Sequence, residues 1–257
     1  MKNLNIKIHW SNEFFLIPKE KSVIILVDTL RASSVIPSAL FFGAHEVITV
    51  HDIDLAFHIK QKNPNALLAG ERSGIIIDGF DCGNSPVEME ASARDKTVVL
   101  NTGNFCSVIN SVSEKCVNVL AASMVNAQAT AEYIYKNNFQ NIYIIATGTY
   151  HMHGQKYDEP IKSMEDLIAG LFVIYELSKM INISDEVFGE HQKILKDEKE
   201  LINFLWNTEY AQYLLELDKK QKNNRNREDM EFCFSVNKFP CVSLLHIENN
   251  FLKFKKI

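Results

Sequence analysis

An α/β fold, with a mixed or mostly parallel sheet layered between helices, is predicted by three observations. Short β-branched apolar runs alternate with segments of helical period from about residue 22 to 180, the pattern of a sheet wrapped by helices. Several of the helical segments open on their own capping residues. The 257 residues, 46% apolar and 23% charged, are enough to bury a substantial core. No linker, repeat or low-complexity tract marks a boundary, so residues 1–257 read as one domain, with a division into two subdomains left open.

The buried run Val23–Val27 is the first strand, and the helix Ser33–Phe42 that follows stops at Gly43. Glu46–Val50 is the next strand, and Asp52 caps the helix Ile53–Lys62. After the strand Ala66–Ala69, Ser85 and Pro86 supply the N-cap and first position of a helix over Pro86–Ala91. Strands Thr97–Leu100, Val117–Ala121 and Ile142–Ala146 alternate with helices Phe105–Val112 and Asn126–Lys136. Ser163-Met164-Glu165-Asp166 opens a helix over Met164–Lys179. Residues 185–220 are helical and amphipathic, Asn223–Asn226 is a polar loop before residues 229–234, and Val242–His246 and Phe251–Phe254 are β-like.

A net charge of -5 and an isoelectric point near 5.9 argue against a phosphate-backbone binder. The basic tracts near Lys219 and Lys253 solvate a loop and a terminal strand. No apolar run has the length of a membrane span and the N-terminus lacks a signal segment, so a cytoplasmic protein is expected. Five cysteines without a Cys-x-x-Cys pair match neither a zinc site nor a disulfide framework and read as reduced thiols. The absence of a phosphate-loop motif, a Gly-x-Gly-x-x-Gly and a Gly-x-Ser-x-Gly disfavours a P-loop kinase, a dinucleotide enzyme and a serine hydrolase.

The chemistry concentrates at strand ends. Val27 leads into Asp28-Thr29-Leu30-Arg31-Ala32-Ser33-Ser34: an acid, an arginine, then hydroxyls opening a helix. Ligands of open α/β sheets collect at the carboxyl ends of strands, which puts Asp28 and Arg31 at the functional edge. A carboxylate suits Mg2+ and a guanidinium suits paired phosphate oxygens; a capped helix with a local ion pair explains the segment equally well. The pairing repeats as Glu71-Arg72 in Gly70-Glu71-Arg72-Ser73-Gly74, and Gly79-Phe80-Asp81-Cys82-Gly83-Asn84-Ser85-Pro86 adds Asp81. This connection is too polar for core and too rich in Gly for a regular element, and it can hold an anion beside a metal ion; the alternative is a glycine-stabilised hairpin. Ser33, Ser34, Asn84, Ser85 and the run Asn101-Thr102-Gly103-Asn104 offer hydroxyls, amides and backbone N–H groups to the anion. Glu165 and Asp166 favour the positive end of their helix and become ligands if that helix faces the site. His151-Met152-His153 with Asp158 is a weaker metal reading, since histidines in a surface loop are more often solvated.

Taken in order, these strings resemble the 2-phosphosulfolactate phosphatase family. Its signatures are Asp28-Thr29-Leu30-Arg31-Ala32-Ser33, Gly70-Glu71-Arg72, Gly79 to Pro86, Glu165-Asp166-Leu167-Ile168-Ala169-Gly170 and Asp229-Met230-Glu231-Phe232-Cys233. The Gly-Phe-Asp-x-Gly-Asn-Ser-Pro string is long enough to be specific. The resemblance implies an enzyme that uses Mg2+ to hydrolyse 2-phospho-3-sulfolactate to 3-sulfolactate and phosphate, a step of coenzyme M biosynthesis. It implies Asp28, Glu71, Asp81, Glu165 and Asp166 as metal or acid–base groups, without separating their roles, and Arg31 and Arg72 as grips for anionic oxygens. Two departures stand out: Phe105 and Ser107 occupy positions where the family tends to carry glycine and arginine, and His151–Pro160 is similar to an insertion.

The expected function is a Mg2+-dependent phosphatase of a small polyanionic phosphate monoester. Its partner is that small phosphorylated substrate, not nucleic acid or a membrane, with homo-oligomerisation left open. The alternatives are a noncatalytic descendant that keeps an anion-binding pocket, and a Mg2+-dependent hydrolase of another phosphorylated metabolite.

Overall fold

A computed structural model of the chain describes residues 4–11, 13, 20–72, 74–113, 118–152 and 155–257. The elements in chain order are β1 (Asn5–Trp10), β2 (Ser22–Val27), α1 (Ala32–Phe41), β3 (Glu46–Thr49), α2 (Ile53–Lys62), β4 (Leu67–Arg72) and β5 (Ile75–Ile76). There follow α3 (Pro86–Ser92), β6 (Thr97–Asn101), α4 (Asn104–Ser113), β7 (Val119–Ala121), α5 (Ala127–Lys136), β8 (Asn141–Ala146), β9 (Thr149–Met152) and β10 (Gln155–Ile161). The chain continues through α6 (Met164–Ser178), α7 (Gln192–Lys196), α8 (Glu198–Trp206), α9 (Glu209–Gln221) and α10 (Arg225–Cys233) to β11 (Ser243–Glu248) and β12 (Phe251–Lys256).

The local signals act as the sequence predicts at Asp52, Ser85 and Gly43, whereas Ser163 precedes α6 without a side-chain cap hydrogen bond. Asp52 accepts a hydrogen bond from the Asp54 N–H at 2.9 Å and Ser85 accepts one from Glu88 at 3.3 Å; Gly43, at φ +98°, ends the turn after α1. Three segments differ. Gly70, Glu71 and Arg72 extend β4, Gly70 pairing parallel with Asn101 of β6 and Glu71 and Arg72 pairing antiparallel with Ile76 and Ile75 of β5, so part of the expected connection is regular strand. Arg225 and Asn226 lie in α10 and not in a loop, because Asp218 of α9 accepts from the Asn226 and Arg227 N–H groups at 3.1 and 2.9 Å and caps the helix from a neighbouring one. The expected insertion folds as the β9–β10 hairpin, with His153 outside the described residues, as is Val117.

Ten strands form one sheet in the order β1-β8-β2-β7-β11-β12-β3-β6-β4-β5. β1, β8, β2 and β7 are parallel, and so are β3, β6 and β4. Between the two sets the β11–β12 hairpin makes three successive antiparallel pairings, β7 with β11, β11 with β12 and β12 with β3. An odd number of reversals leaves the two parallel sets with opposite sense. Six steps separate β2 from β4, and a twist of about 20–25° per step turns one through about 120–150° relative to the other. The twist brings the carboxyl ends of β2 and β4 towards the same side.

Alternate residues of β2 enter different cores, as the two-residue period of a strand requires. Val23, Ile25 and Val27 pack with Ala131 of α5, Ile168 of α6 and Leu214 of α9; Ile24 and Leu26 pack with Ile36 of α1, Ile109 of α4 and Phe254 of β12. Helices therefore cover both faces of the sheet. Among the described residues no helix is long and apolar enough to cross a membrane. Cys82, Cys106, Cys233 and Cys241 are buried free thiols, and burial pushes Cys106 up to about 11.

Candidate active site

The segments following β2 and β6, the end of β4, the approach to α3 and one face of α9 enclose a cavity of about 330 Å³. Asp28, Arg31, Glu71, Arg72, Asn84, Thr102 and Asn104 all reach it. Asp28 is 7% exposed, and its loop is fastened from inside. Its Oδ1 accepts from the Ala32 N–H at 3.2 Å, its N–H donates to Ser33 Oγ at 2.9 Å, and Ser34 Oγ donates to the Thr29 carbonyl at 2.9 Å. Ser33 and Ser34 are fully buried and hold this loop without lining the cavity.

Arg31 Nη1 donates to Asp229 Oδ2 and lies 3.5 Å from Asn226 Oδ1, while Ser85 Oγ donates to Asp229 Oδ1. Ser85 therefore serves the buried ion pair as well as capping α3. Burial alone would lower the Arg31 pKa, but the Asp229 carboxylate more than offsets it and holds the guanidinium above its ordinary value. Glu71 Oε2 accepts from the Gly74 N–H at 2.7 Å. Arg72 donates to the carbonyls of Glu71 at 2.8 Å and His51 at 3.4 Å. Asn104 Nδ2 reaches the Gly148 carbonyl at 3.2 Å. Asn101 is fully buried behind the wall, with neither side-chain amide atom hydrogen-bonded among the described residues.

Glu165 and Asp166 are 1% and 3% exposed. Asp166 ties two strand ends together: Oδ1 accepts from the Thr29 N–H at 2.7 Å, and Oδ2 from the Gly148 N–H at 3.1 Å and Thr147 Oγ1 at 3.3 Å. Glu165 borders an adjoining cavity of about 50 Å³, and its Oε2 is buried with no partner among the described residues. Burial pushes Asp28 up to about 6, the Glu71 charge adding to it and the Ala32 hydrogen bond opposing it. Glu165 rises to about 7 through burial and the charge of Asp28, and Asp166 rises for the same reasons together with the charge of Glu165. Acids crowded away from water resist ionising together.

Asp81 stands apart from this group. Its Oδ2 accepts from the Leu68 N–H at 2.8 Å and from Lys60 Nζ at 3.0 Å, and it does not line the cavity. These bonds keep its carboxyl below the usual range despite partial burial, which opposes them. Ser107 also lies off the cavity wall, exposed, donating to the Gly103 carbonyl at 2.8 Å and 3.3 Å from His51 Nδ1. Among the described residues no three His, Cys, Asp or Glu side chains are grouped closely enough to share one metal ion.

Part of the wall has no signature in the sequence. Tyr210, Tyr213, Leu214 and Leu217 of α9 line the cavity. Their spacing of three, four and seven is that of any amphipathic helix, so nothing separates it from a core stripe. Burial and the neighbouring Glu71 charge raise the Tyr210 phenol well above its ordinary value.

A family model described as 2-phosphosulpholactate phosphatase matches residues 14–248. The chain belongs to the 2-phosphosulfolactate phosphatase family. Relatives named probable 2-phosphosulfolactate phosphatase come from Carboxydothermus hydrogenoformans, 31% identical over 232 residues (89% of this chain and 88% of the relative), and Caldanaerobacter subterraneus subsp. tengcongensis, 31% identical over 231 residues (88% of each). A third of that name, from Pseudothermotoga lettingae, is 29% identical over 238 residues, 91% of this chain and 93% of the relative. The 2-phosphosulfolactate phosphatase family is one of phosphoric monoester hydrolases, and the reaction class of this chain follows from its membership.

Proposed function

We propose that this chain hydrolyses the phosphate monoester of 2-phospho-3-sulfolactate, or of a similarly small polyanionic ester, with Mg2+ as cofactor. The observation that carries this reading is that Asp28 and Glu71, with Arg31 and Arg72, face one cavity of about 330 Å³ although they come from two oppositely directed parts of the sheet. That volume is at the small end for ligand pockets.

The donor set fits Mg2+. The acids offer hard oxygens, the Glu165 Oε2 atom lacks a partner among the described residues, and Mg2+ commonly keeps several waters and needs only one or two carboxylates. Asp28 would hold it, with Glu71 and Glu165 as the neighbouring acids; Asp81 has no part in this set. A bound Mg2+ would draw negative charge from the phosphoryl oxygens. Arg31, kept in place by Asp229, and Arg72 meet the ester's anionic oxygens, and Asn84 and Asn104 orient it. As a water oxygen bonds to phosphorus and the ester P–O bond breaks, the water loses a proton and the leaving oxygen gains one. A carboxyl such as Glu165, raised to about 7, is suited to that transfer near neutral pH.

Phosphate release from a panel of three- and four-carbon phosphoesters, with and without Mg2+, tests the reading. Mg2+-dependent release from 2-phospho-3-sulfolactate is expected, and Asp28→Asn should lower kcat by at least about 100-fold. No release from any ester sinks it, and tight phosphate binding without turnover would mark an anion-binding module instead.

A further inference from the structure

One polar group on the cavity wall has no task in the hydrolysis described above. Tyr210, near the start of α9, borders both the 330 Å³ cavity and the 50 Å³ cavity beside Glu165. Its hydroxyl has no hydrogen-bond partner among the described residues. Four of its polar neighbours on the wall are engaged with other protein groups: Asp28 with Ala32, Arg31 with Asp229, Glu71 with Gly74, Asn104 with Gly148. The charges that act on the phenol are Glu71, Arg31, Asp28 and Glu165, so it stands where both sets of strands deliver their functional groups.

We propose that Tyr210 is a catalytic residue whose Oη–H donates a hydrogen bond to an oxygen of the bound phosphoryl group. The proposal rests on the phosphatase reading for the identity of that anion. A phenol is a neutral donor, and it adds donor capacity to an acid-rich cavity without disturbing its charge balance. The ring carries few rotatable bonds and packs beside Tyr213, centroids 6.0 Å apart, so little side-chain freedom is lost when the bond forms. A donor aimed at oxygens that gain negative charge in the transition state stabilises that state more than the ground state.

Tyr210→Phe keeps the ring and removes only the hydroxyl, and Tyr135→Phe, at an exposed site outside this cavity, is the control. Binding of inorganic phosphate in the presence of Mg2+ is measured by calorimetry, together with phosphate release from the ester panel. Tyr210→Phe should weaken phosphate binding about tenfold or more and lower kcat about 10- to 100-fold, as loss of a hydrogen bond to a charged group does. Its melting temperature should match the wild type, because the hydroxyl has no internal partner to lose. Equal phosphate affinity in the variant and the wild type, no phosphate binding by the wild type, or a melting temperature lowered by several degrees would each overturn the proposal. Weakened phosphate binding by Tyr210→Phe in a protein that hydrolyses none of the esters would support the tyrosine and sink the phosphatase reading.

Discussion

Burial raises the carboxyls of Asp28 and Glu165 above their ordinary pKa, and this sets the sign of a pH effect. A carboxyl whose pKa is higher folded than unfolded binds protons more tightly in the native state. Its contribution to stability is complete below about pH 4 and is lost as pH rises through about 6 for Asp28 and about 7 for Glu165. Without divalent cations the melting temperature should therefore fall between pH 5 and pH 8. Because a metal competes with protons for such oxygens, Mg2+ should restore more at pH 8 than at pH 5. Melting curves indifferent to both variables would contradict this account. The acids at strand ends were legible in the sequence, since strand termini are where α/β sheets place ligands. Asp81 shows the limit of that rule: it is also an acid beside a strand, but a local hydrogen bond from Leu68 and the nearby Lys60 turn it away. A side chain's direction is decided by neighbours that a linear string does not order. Ser33 and Ser34 likewise look like ligands and act as fasteners of the Asp28 loop.

At the scale of elements, α9 and α10 illustrate why helicity was readable and role was not. Residues 185–220 carry the period of amphipathic helices, but only packing reveals that Asp218 reaches from α9 to the start of α10. Asp218 is buried and accepts from two backbone N–H groups and from Asn226 Nδ2 at 2.8 Å. Asn226 and Asp229 of the capped helix are the partners of Arg31, so the cap stands behind the guanidinium. Asp218→Ala should cost about 1–2 kcal/mol of stability in a denaturant titration and raise KM more than it lowers kcat. A variant with unchanged stability and unchanged KM would disprove the connection. Gly70 shows a second element-scale constraint: a Cβ there would meet the Asn101 carbonyl at 2.3 Å, so β4 can lie this close to the end of β6 only with glycine at that position. The glycine was visible in the sequence, but as a sign of loop, because a close approach between strands leaves no local trace.

Across the whole molecule, the alternation of strands and helices announced a layered sheet, and the closing runs Val242–His246 and Phe251–Phe254 were readable as β-structure. Their place in the middle of the sheet was not, because pairing partners more than a hundred residues apart are chosen by burial and not by spacing. β12 is central enough that Phe254 is fully buried, its ring 5.9 Å from that of Phe105. Phe254→Ala should cost about 3–5 kcal/mol, measured by thermal or chemical unfolding. Phosphate release should fall with the folded fraction although the residue is absent from the cavity wall. Full activity in a strongly destabilised variant would show that the cavity forms without the bridge.

The position of that bridge also imposes a schedule on biosynthesis. Each parallel set is complete by Asn141–Ala146, yet the strands that join them, Ser243–Glu248 and Phe251–Lys256, leave the ribosome roughly a hundred residues later. A nascent chain can thus carry both halves of its catalytic equipment while remaining unable to use either, and turnover should switch on only after the last strand has slotted between them.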